Sequence, residues 1–530
     1  MSPTPQDWEQ LRRALKGELL LDLESRHRYA SDESIYSIVP QAVAVVAGEA
    51  DIAAVLLFAA AKGVGVTLRA GGTSLAGQAV GPGIVVEMSG NFERILAFDP
   101  EMRRVRAEPG VVLASLNRAL WVHGQQFGPD PSSFESCRVG GMVGNNASGV
   151  HHRIWGAVID NIVSLRLMLS NGEIVETSPV VLGSAELAAR ASGDTLEARI
   201  YREVPALIDG YRATMRKNWP RVEKCSSGYR LDKALEAGVF DLGKLLCGSE
   251  GTLAVVLEAT LRTVERPRAK GLLVLYFETL EDAAKGVVEA LASGASAIEM
   301  IDERVVEAVR ARSPQDAARF KEGTRAALFV EYFGGDAAEV EARMAAGWKR
   351  LREESRLAVD DQATTDPGTM EELWRIRRGV EPLLSDMAGA RVPVGFVEDT
   401  AVPVERLAEH VRGLYEIFDR YGLRAAAYGH ASTGHLHVRP FLDLRDPRDR
   451  ALMEKVAAEV FDQTRRLGGT MSGEHGDGLL RTEFLQSFYG ETYEAMVAIK
   501  QLFDPMGILN PGKKVAPEIG QMTKHLRALT

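Results

Sequence analysis

The sequence predicts an α+β fold divided into more than one domain. Length is the first reason: 530 residues exceed what one hydrophobic core organises, and two or three domains are expected. The second is the stretch from about residue 40 to residue 264. There, short β-rich segments, helical segments and glycine clusters alternate, the texture of an α/β layer structure. The third is a change of pattern after residue 266. Strands now alternate with long helical stretches, as in a mostly antiparallel sheet with helices on one face.

Residues 1–34 read as a charged helical lead-in, and residues 35–265 as the first domain. Within it Ala42–Val46, Gly65–Arg69, Gly83–Met88, Arg104–Glu108 and Ile162–Leu169 are β-branched, apolar runs that read as strands. Asp51–Lys62 and Val112–His123 carry helical periodicity. The second domain is expected over 266–465, with strands at Gly271–Phe277, Ser296–Ile301, Ala326–Tyr332 and Gly395–Asp399. Thr279–Ala292 and Ala337–Ser355 are its clearest helices, and Ala425–Pro440 adds strands. Residues 446–467 and 485–505 read as amphipathic helices. The segment 466–530 carries a histidine loop, and its tail LFDPMGILNPGKKV is expected to pack back on the first domain.

Hydrophobic residues make up 45% and charged residues 26%, an ordinary soluble composition. The net charge of −10, with no basic block, argues against a nucleic-acid partner. The longest apolar runs, such as Ile52–Ala61 and Gly271–Phe277, are far too short to span a membrane. The N-terminus lacks the basic start and apolar core of a secretory signal. A cytoplasmic location is expected, with peripheral membrane association left open. Cys137, Cys225 and Cys247 are widely separated, with no C-x-x-C. They read as buried thiols, not as a disulfide framework or the ligands of a zinc or iron–sulfur site.

Three glycine-rich loops stand out in the first domain. RAGGTSLAGQAVGPGIVVEMSG (69–90) follows a strand, and its Thr73 and Ser74 offer donors within a glycine turn, a nest for phosphate oxygens. It has neither G-x-G-x-x-G nor a Walker ending, so Rossmann and P-loop readings fail on spacing. FGPDPSSFESCRVGGMVGNNASGVHHRIWGAVIDNIV (127–163) is the second loop and LLCGSEGTLAVV (245–256) the third. Three such loops point to a large, extended, polyphosphorylated ligand.

RAGGTS, PDPSS, VGGMVGNNASG, GAVIDNIV and GSEGTLAVV, in that order, resemble the FAD-binding domain of the vanillyl-alcohol oxidase/p-cresol methylhydroxylase (PCMH) family. Later segments resemble its D-2-hydroxyacid dehydrogenase branch, which holds D-lactate dehydrogenase, the glycolate oxidase FAD subunit and D-2-hydroxyglutarate dehydrogenase. The resemblance covers roughly residues 35–515. It implies a two-subdomain PCMH-type FAD-binding domain, an antiparallel-sheet α+β substrate (cap) domain, and C-terminal helices returning to the FAD domain. Gly71, Gly72, Thr73 and Ser74 would cradle the pyrophosphate. Asp130, Ser132, Gly141, Asn146, Ser148 and Gly149 would line the flavin and its ribityl chain. Val163 and Glu250 would lie near the adenosine end or the closing loop. Arg69, Gly77, Gln78, Pro129, Gly140, Gly144, Asn145, Gly251 and Asn510 complete the implied cofactor contacts. Thr73 and Ser74 stand where some relatives tether flavin through a histidine, so FAD is expected to be non-covalent. His151 and His152 read as a surface pair.

YGHASTGHLHVRP (428–440) concentrates His430, His435 and His437. His435 and His437 share one face of a strand, and His430 reaches it across a turn. MSGEHGDGLLRTEFL (471–485) sets Glu474 and His475 among glycines. Two imidazoles, His430 and His437, with the Glu474 carboxylate suit a divalent metal, zinc or manganese above all. His475 has the intrinsic pKa of a base. The resemblance assigns the same roles to these four. His435 is either a third nitrogen ligand or a substrate contact, and a contact to the substrate, or to the ligands from behind, is preferred.

ELWRIRRGVEPLL (372–384) offers arginines for a substrate carboxylate. Arg377 matches the family's substrate arginine, whereas Arg375 and Arg378 read as a solvated face. Relatives that take 2-hydroxyglutarate often place a lysine near GFVEDTAVP, where this chain has Phe396 or Glu398. Arg439 is then the second carboxylate clamp, with Arg391 behind it. The resemblance implies oxidation of a D-2-hydroxy acid by hydride transfer to FAD with metal-assisted deprotonation by His475, and the extra arginines put D-2-hydroxyglutarate slightly ahead of D-lactate. Electrons would leave to an external acceptor: an iron–sulfur subunit, a quinone or a flavoprotein. An FAD subunit of a glycolate oxidase-like complex, or an oxidase of another alcohol, are the alternatives. A homodimer is compatible with either.

Overall fold

The computed structural model describes residues 3–387, 389 and 391–527. Two larger sheets and a small three-stranded one organise the N-terminal half. In the first, Ile84–Glu87 runs parallel between Ala42–Val45 and Val66–Arg69. Parallel neighbours ordinarily need a helical crossover. Helix Glu49–Lys62 supplies one between Ala42–Val45 and Val66–Arg69, but Val66–Arg69 and Ile84–Glu87 are joined by the bare glycine loop 70–83. That loop therefore hangs from the ends of two buried strands. The lead-in is not only helical. Its Glu18–Leu20 adds an antiparallel edge to Ala42–Val45, because burying Leu19 rewards pairing there.

The second sheet is built around Val255–Glu265, which pairs antiparallel with Arg104–Ala107, Gln125–Phe127 and Ile162–Met168. The C-terminal tail returns to the first sheet. Val66 N donates to Ile508 O at 2.7 Å, and Asn510 N donates to Val66 O at 2.8 Å.

An eight-stranded antiparallel sheet forms the rest. Ala269–Phe277 pairs with Ala326–Gly334 in unbroken register. Both faces of this sheet are covered, which corrects the expectation of helices on one face. Leu273, Leu275 and Phe277 join a core with helices Leu280–Leu291, Ala337–Trp348 and Leu407–Arg420. Leu272, Val274 and Tyr276 join another with Glu303–Arg312 and Pro367–Arg378. The unbroken run GLLVLYF carries this information, since a strand apolar on both faces is buried on both. Residues 395–398 form a turn instead of a strand, and the strand begins at Asp399 and ends at Ala401. The expected helix 485–505 is two helices, Leu485–Tyr489 and Thr492–Phe503, broken at Gly490.

His151 is a bolt between the halves, not part of a surface pair. Its Nδ1 lies 2.5 Å from Asp130 Oδ2, and its Nε2 meets Glu331 of the large sheet. The ring also stacks on Phe333 at 4.8 Å. His152 is buried too. Burial opposes a charge on His151, but Asp130 and Glu331 outweigh it and raise the imidazole to about 10. A group raised in the folded state stabilises fully below its unfolded value of about 6.5 and loses that contribution as pH climbs through about 10. The gap in melting temperature between the wild type and His151→Gln is therefore expected to be widest near pH 6 and to close by about pH 10.5. A gap that is constant over that range contradicts the charged bolt.

Candidate active site

A cavity of about 1360 Å³ separates the glycine loops from the large sheet. Arg69, Gly71, Gly72, Thr73, Ser74, Gln78, Asp130, Ser132, Gly140, Gly141, Gly144, Asn145, Ser148, Glu250 and Gly251 line one side. Among the described residues, no backbone N–H from Gly71 to Leu75 donates within the protein. Gly71 is exposed and Gly72 to Leu75 are half-buried at the cavity, so these donors stay open to an acceptor there.

Six residues expected at the cofactor do not line the cavity. Asn146 takes the left-handed cap of its helix, and its Oδ1 accepts from Ile159 N at 2.9 Å. Asn510 staples two loops, donating to Gln78 O at 3.0 Å and Glu250 O at 2.7 Å. Gly149 lies against the Asp130 backbone, Gly77 packs under Tyr36, and Val163 sits within strand Ile162–Met168. Pro129 precedes Asp130 without reaching the space. In this structure these residues hold the loops in shape.

Arg377, Tyr428, His430, His437, Arg439, Glu474 and His475 line the opposite side. The loop that carries Glu474 and His475 is gripped from both halves of the chain. Gly473 N donates to Asp399 O at 2.7 Å, and Glu474 N and His475 N donate to the Asp399 carboxylate at 3.2 and 2.9 Å. From the other side, Asp477 N and Gly478 N donate to Glu250 at 2.6 and 2.9 Å. Gln78 Nε2 donates to His475 O at 2.5 Å. Gly478 has φ 50°, and a Cβ there would fall 2.1 Å from Ala76 O, so only glycine lets the loop come this close.

Glu474 Oε1 is the centre of the histidine cluster. It lies 2.9 Å from His430 Nε2, 3.4 Å from His437 Nε2, and 3.9 Å from both His435 Nδ1 and His475 Nε2. Its other oxygen is 2.6 Å from the Lys224 ammonium, an ion pair without hydrogen-bond alignment. Three rings turn their outer nitrogen onto a buried carboxylate. His430 Nδ1 meets Glu299 at 2.6 Å, His435 Nε2 meets Asp399 at 2.8 Å, and His475 Nδ1 meets Glu398 at 3.0 Å. Outer carboxylates of this kind set the ring orientation and leave the inner nitrogen facing the centre. Ligand atoms of His430, His435, His437 and Glu474 all lie within 4.8 Å of one another, a donor set that can hold zinc or manganese.

His435 does not line the cavity. It is fully buried behind the cluster, and its Nδ1 has no hydrogen-bond partner. A substrate contact from it is corrected to a place among the possible ligands, because Asp399 holds the ring away from the open space. Burial lowers His435 to about 4 and His437 to about 3, which keeps both neutral. Burial opposes the Glu474 charge, but Lys224 and His430 overcome it and hold the carboxyl well below its usual range. Burial also lowers His475, yet Asp399 and Glu398 raise it to about 9.

Arg377 pairs with Glu299 at 2.5 Å and lies 5.1 Å from the Tyr428 ring centre. Arg439 covers the same ring at 5.9 Å, donates to Glu398 at 2.6 Å and pairs with Glu381. Arg375 and Arg378 are exposed and paired with Asp316 and Glu371. Arg391 does not reach the cavity, because Asp449 holds it at 2.9 Å. Sequence reasoning missed Lys224, Glu299, Asp399 and Tyr428, and saw Glu398 only as a departure. A lone acid in an apolar strand, as in AIEMI, was the available signal for Glu299. Lys224 carried none.

Residues 40–178 match the FAD binding domain model, and residues 266–514 match that of the C-terminal domain of FAD linked oxidases. A D-lactate dehydrogenase of Archaeoglobus fulgidus is 30% identical over 493 residues, covering 92% of this chain and 95% of the relative. The chain belongs to the FAD-linked oxidase family. D-2-hydroxyglutarate dehydrogenases of Pantoea ananatis and Escherichia coli K12 are 33% and 31% identical, over 94% and 95% of this chain. The chain spans about half the length of these two relatives, 50% and 51%. Among solved structures, p-cresol methylhydroxylase with substrate bound aligns with TM-score 0.67 at 13% identity, over 97% of this chain and 96% of that one. That likeness shows the PCMH-type fold. The cavity volume and the unpaired amides of the first loop fit FAD. Among the described residues no helix is long and apolar enough to cross a membrane.

A Cβ on Gly149 would fall 2.1 Å from the Asp130 carbonyl oxygen, a clash of backbone with backbone. Gly149→Ala is expected to purify with less than about a tenth of the wild-type flavin while its far-UV circular dichroism stays native. Full flavin content, read from the visible absorbance, contradicts the loop-shaping role.

Proposed function

We propose that this chain oxidises a D-2-hydroxy acid to the 2-oxo acid on non-covalent FAD, beside a divalent ion held by His430, His437 and Glu474. One observation carries the reading. A histidine backed by two buried carboxylates stands next to an imidazole–carboxylate cluster, in a cavity shared by the glycine loops and two buried arginines. Bound FAD would supply the two-electron acceptor, and the bound ion would supply the charge that acidifies the substrate hydroxyl.

The chain's own residues do the rest. Arg377 holds the substrate carboxylate beside Tyr428. His475 Nε2 takes the hydroxyl proton, and Glu398 on Nδ1 fixes its tautomer. Two carboxylates alone hold His475 protonated, and a divalent charge a few ångströms away works in the opposite direction. His435 is the candidate third nitrogen ligand. Arg439 and Arg377 together favour D-2-hydroxyglutarate over D-lactate, and relatives of both names support the class. Electrons leave to an external acceptor, an iron–sulfur subunit, a quinone or a flavoprotein, in the cytoplasm. The greater length of the D-2-hydroxyglutarate dehydrogenases favours a second reading, in which further polypeptide supplies that acceptor.

The test is anaerobic. The flavin-loaded protein is mixed with D-2-hydroxyglutarate, D-lactate, D-malate and their L-forms, and with glycolate, and bleaching of the flavin is followed. One D-acid is expected to bleach it quickly. His475→Ala is expected to keep its flavin and slow bleaching by about 100- to 10,000-fold. Near-normal bleaching in that variant sinks the base assignment. Metal analysis should find one divalent ion per chain in the wild type and none in His437→Ala. An unchanged metal content would remove the ion from the site and favour an oxidase of another alcohol.

A further inference from the structure

We propose that Glu381 is an exchangeable stand-in for the second carboxylate of a dicarboxylic substrate, held by Arg439 until the substrate displaces it. The proposal rests on the hydroxy-acid reading above and names the device that sets its substrate class.

Arg439 is buried, with its side chain only 9% exposed, and it has two carboxylate partners of opposite character. Glu398 is itself buried and also holds His475 Nδ1, so it cannot leave Arg439 without releasing the proposed base. Glu381 is 52% exposed, and among the described residues its carboxylate has no partner except Arg439. It sits in the first turn of helix Val380–Met387, on the cavity wall. A carboxylate released there goes straight to water and stays near the positive end of the helix, where negative charge is favoured. One partner is therefore fixed and the other is free to go.

Arg377 is built differently. Its partner Glu299 is fully buried and shared with His430, so that pair does not open. Among the described residues the Arg377 guanidinium makes this ion pair but no hydrogen bond, and the residue lines the cavity, so N–H donors remain for the carboxylate next to the reacting carbon. Both guanidinium groups lie close to the Tyr428 ring centre, at 5.1 and 5.9 Å. An acid with one carboxylate uses Arg377 and leaves Glu381 in place. An acid with a second carboxylate three or four bonds further on replaces Glu381 on Arg439. That exchange trades one negative charge for another, so the buried recess keeps its charge balance and no cation is left bare. Glu381 thus competes with the distal carboxylate and leaves a short neutral side chain alone.

Flavin-loaded protein is mixed anaerobically with rising concentrations of D-2-hydroxyglutarate or D-lactate. The apparent Kd and the limiting bleaching rate are read for the wild type, Glu381→Gln and Glu381→Ala, and melting temperatures are compared. Removing a half-exposed competing ion should tighten D-2-hydroxyglutarate about fivefold. D-lactate affinity and both limiting rates should move less than about twofold. Equal shifts for both acids, or weaker D-2-hydroxyglutarate binding, overturn the exchange and leave Glu381 as a helix anchor. Failure of every D-2-hydroxy acid to bleach the wild type defeats the functional reading and this proposal with it. Normal bleaching with unchanged discrimination defeats only the role of Glu381.

Discussion

Two buried carboxylates hold one short loop, and the site depends on that grip. Asp399 comes from the large sheet and Glu250 from the third glycine loop, and between them they accept four backbone N–H groups of residues 474–478. A buried amide left without a partner costs about 1–3 kcal/mol, so the loop has little freedom to drift from either anchor. Lys514, from the returning tail, ties the arrangement off by approaching Glu250 at 3.1 Å and Asp477 at 2.8 Å. His475 is therefore positioned by the junction of the two halves, and neither half alone contains its full support.

The same junction gathers an unusual amount of buried charge. Glu299, Glu398, Asp399 and Glu474 face Lys224, Arg377 and Arg439, all within or behind one wall of the cavity. Removing one partner from such a pair costs about 3–5 kcal/mol, which keeps the set interdependent. With His435 and His437 neutral, four carboxylates face three fixed cations, and the balance falls to the protonated His475 or to a divalent ion in its neighbourhood.

Residues with local chemistry were legible in the sequence. The strands of the first sheet, the glycine loops, and the cluster of His430, His437, Glu474 and His475 came from runs and spacings that need no partner elsewhere. What was not legible depends on contacts across the fold. Lys224 and Glu299 sit in unremarked segments far from Glu474 and His430, and only tertiary packing brings them together. His151 read as a surface residue because neither Asp130 nor Glu331 is near it in the chain. His435 read as a contact to the substrate, or to the ligands from behind, because it stands where some relatives have Asn, while the pull of Asp399 on its ring is invisible in one strand's pattern. Helices on both faces of the large sheet were signalled by GLLVLYF, a run with no polar face at all.

The pairing of Val66 with Ile508 and Asn510 also bears on how the chain comes to be folded. The strand that launches the first glycine loop finds its last backbone partners more than four hundred residues later. Closing so long a segment is entropically slow, and the contact cannot form until residue 510 has been synthesised. The nascent N-terminal sheet must wait with an unfinished edge, exposed to unwanted pairing in the interval. Assembly of the first glycine loop on its strand thus waits for residues 508–510 to dock.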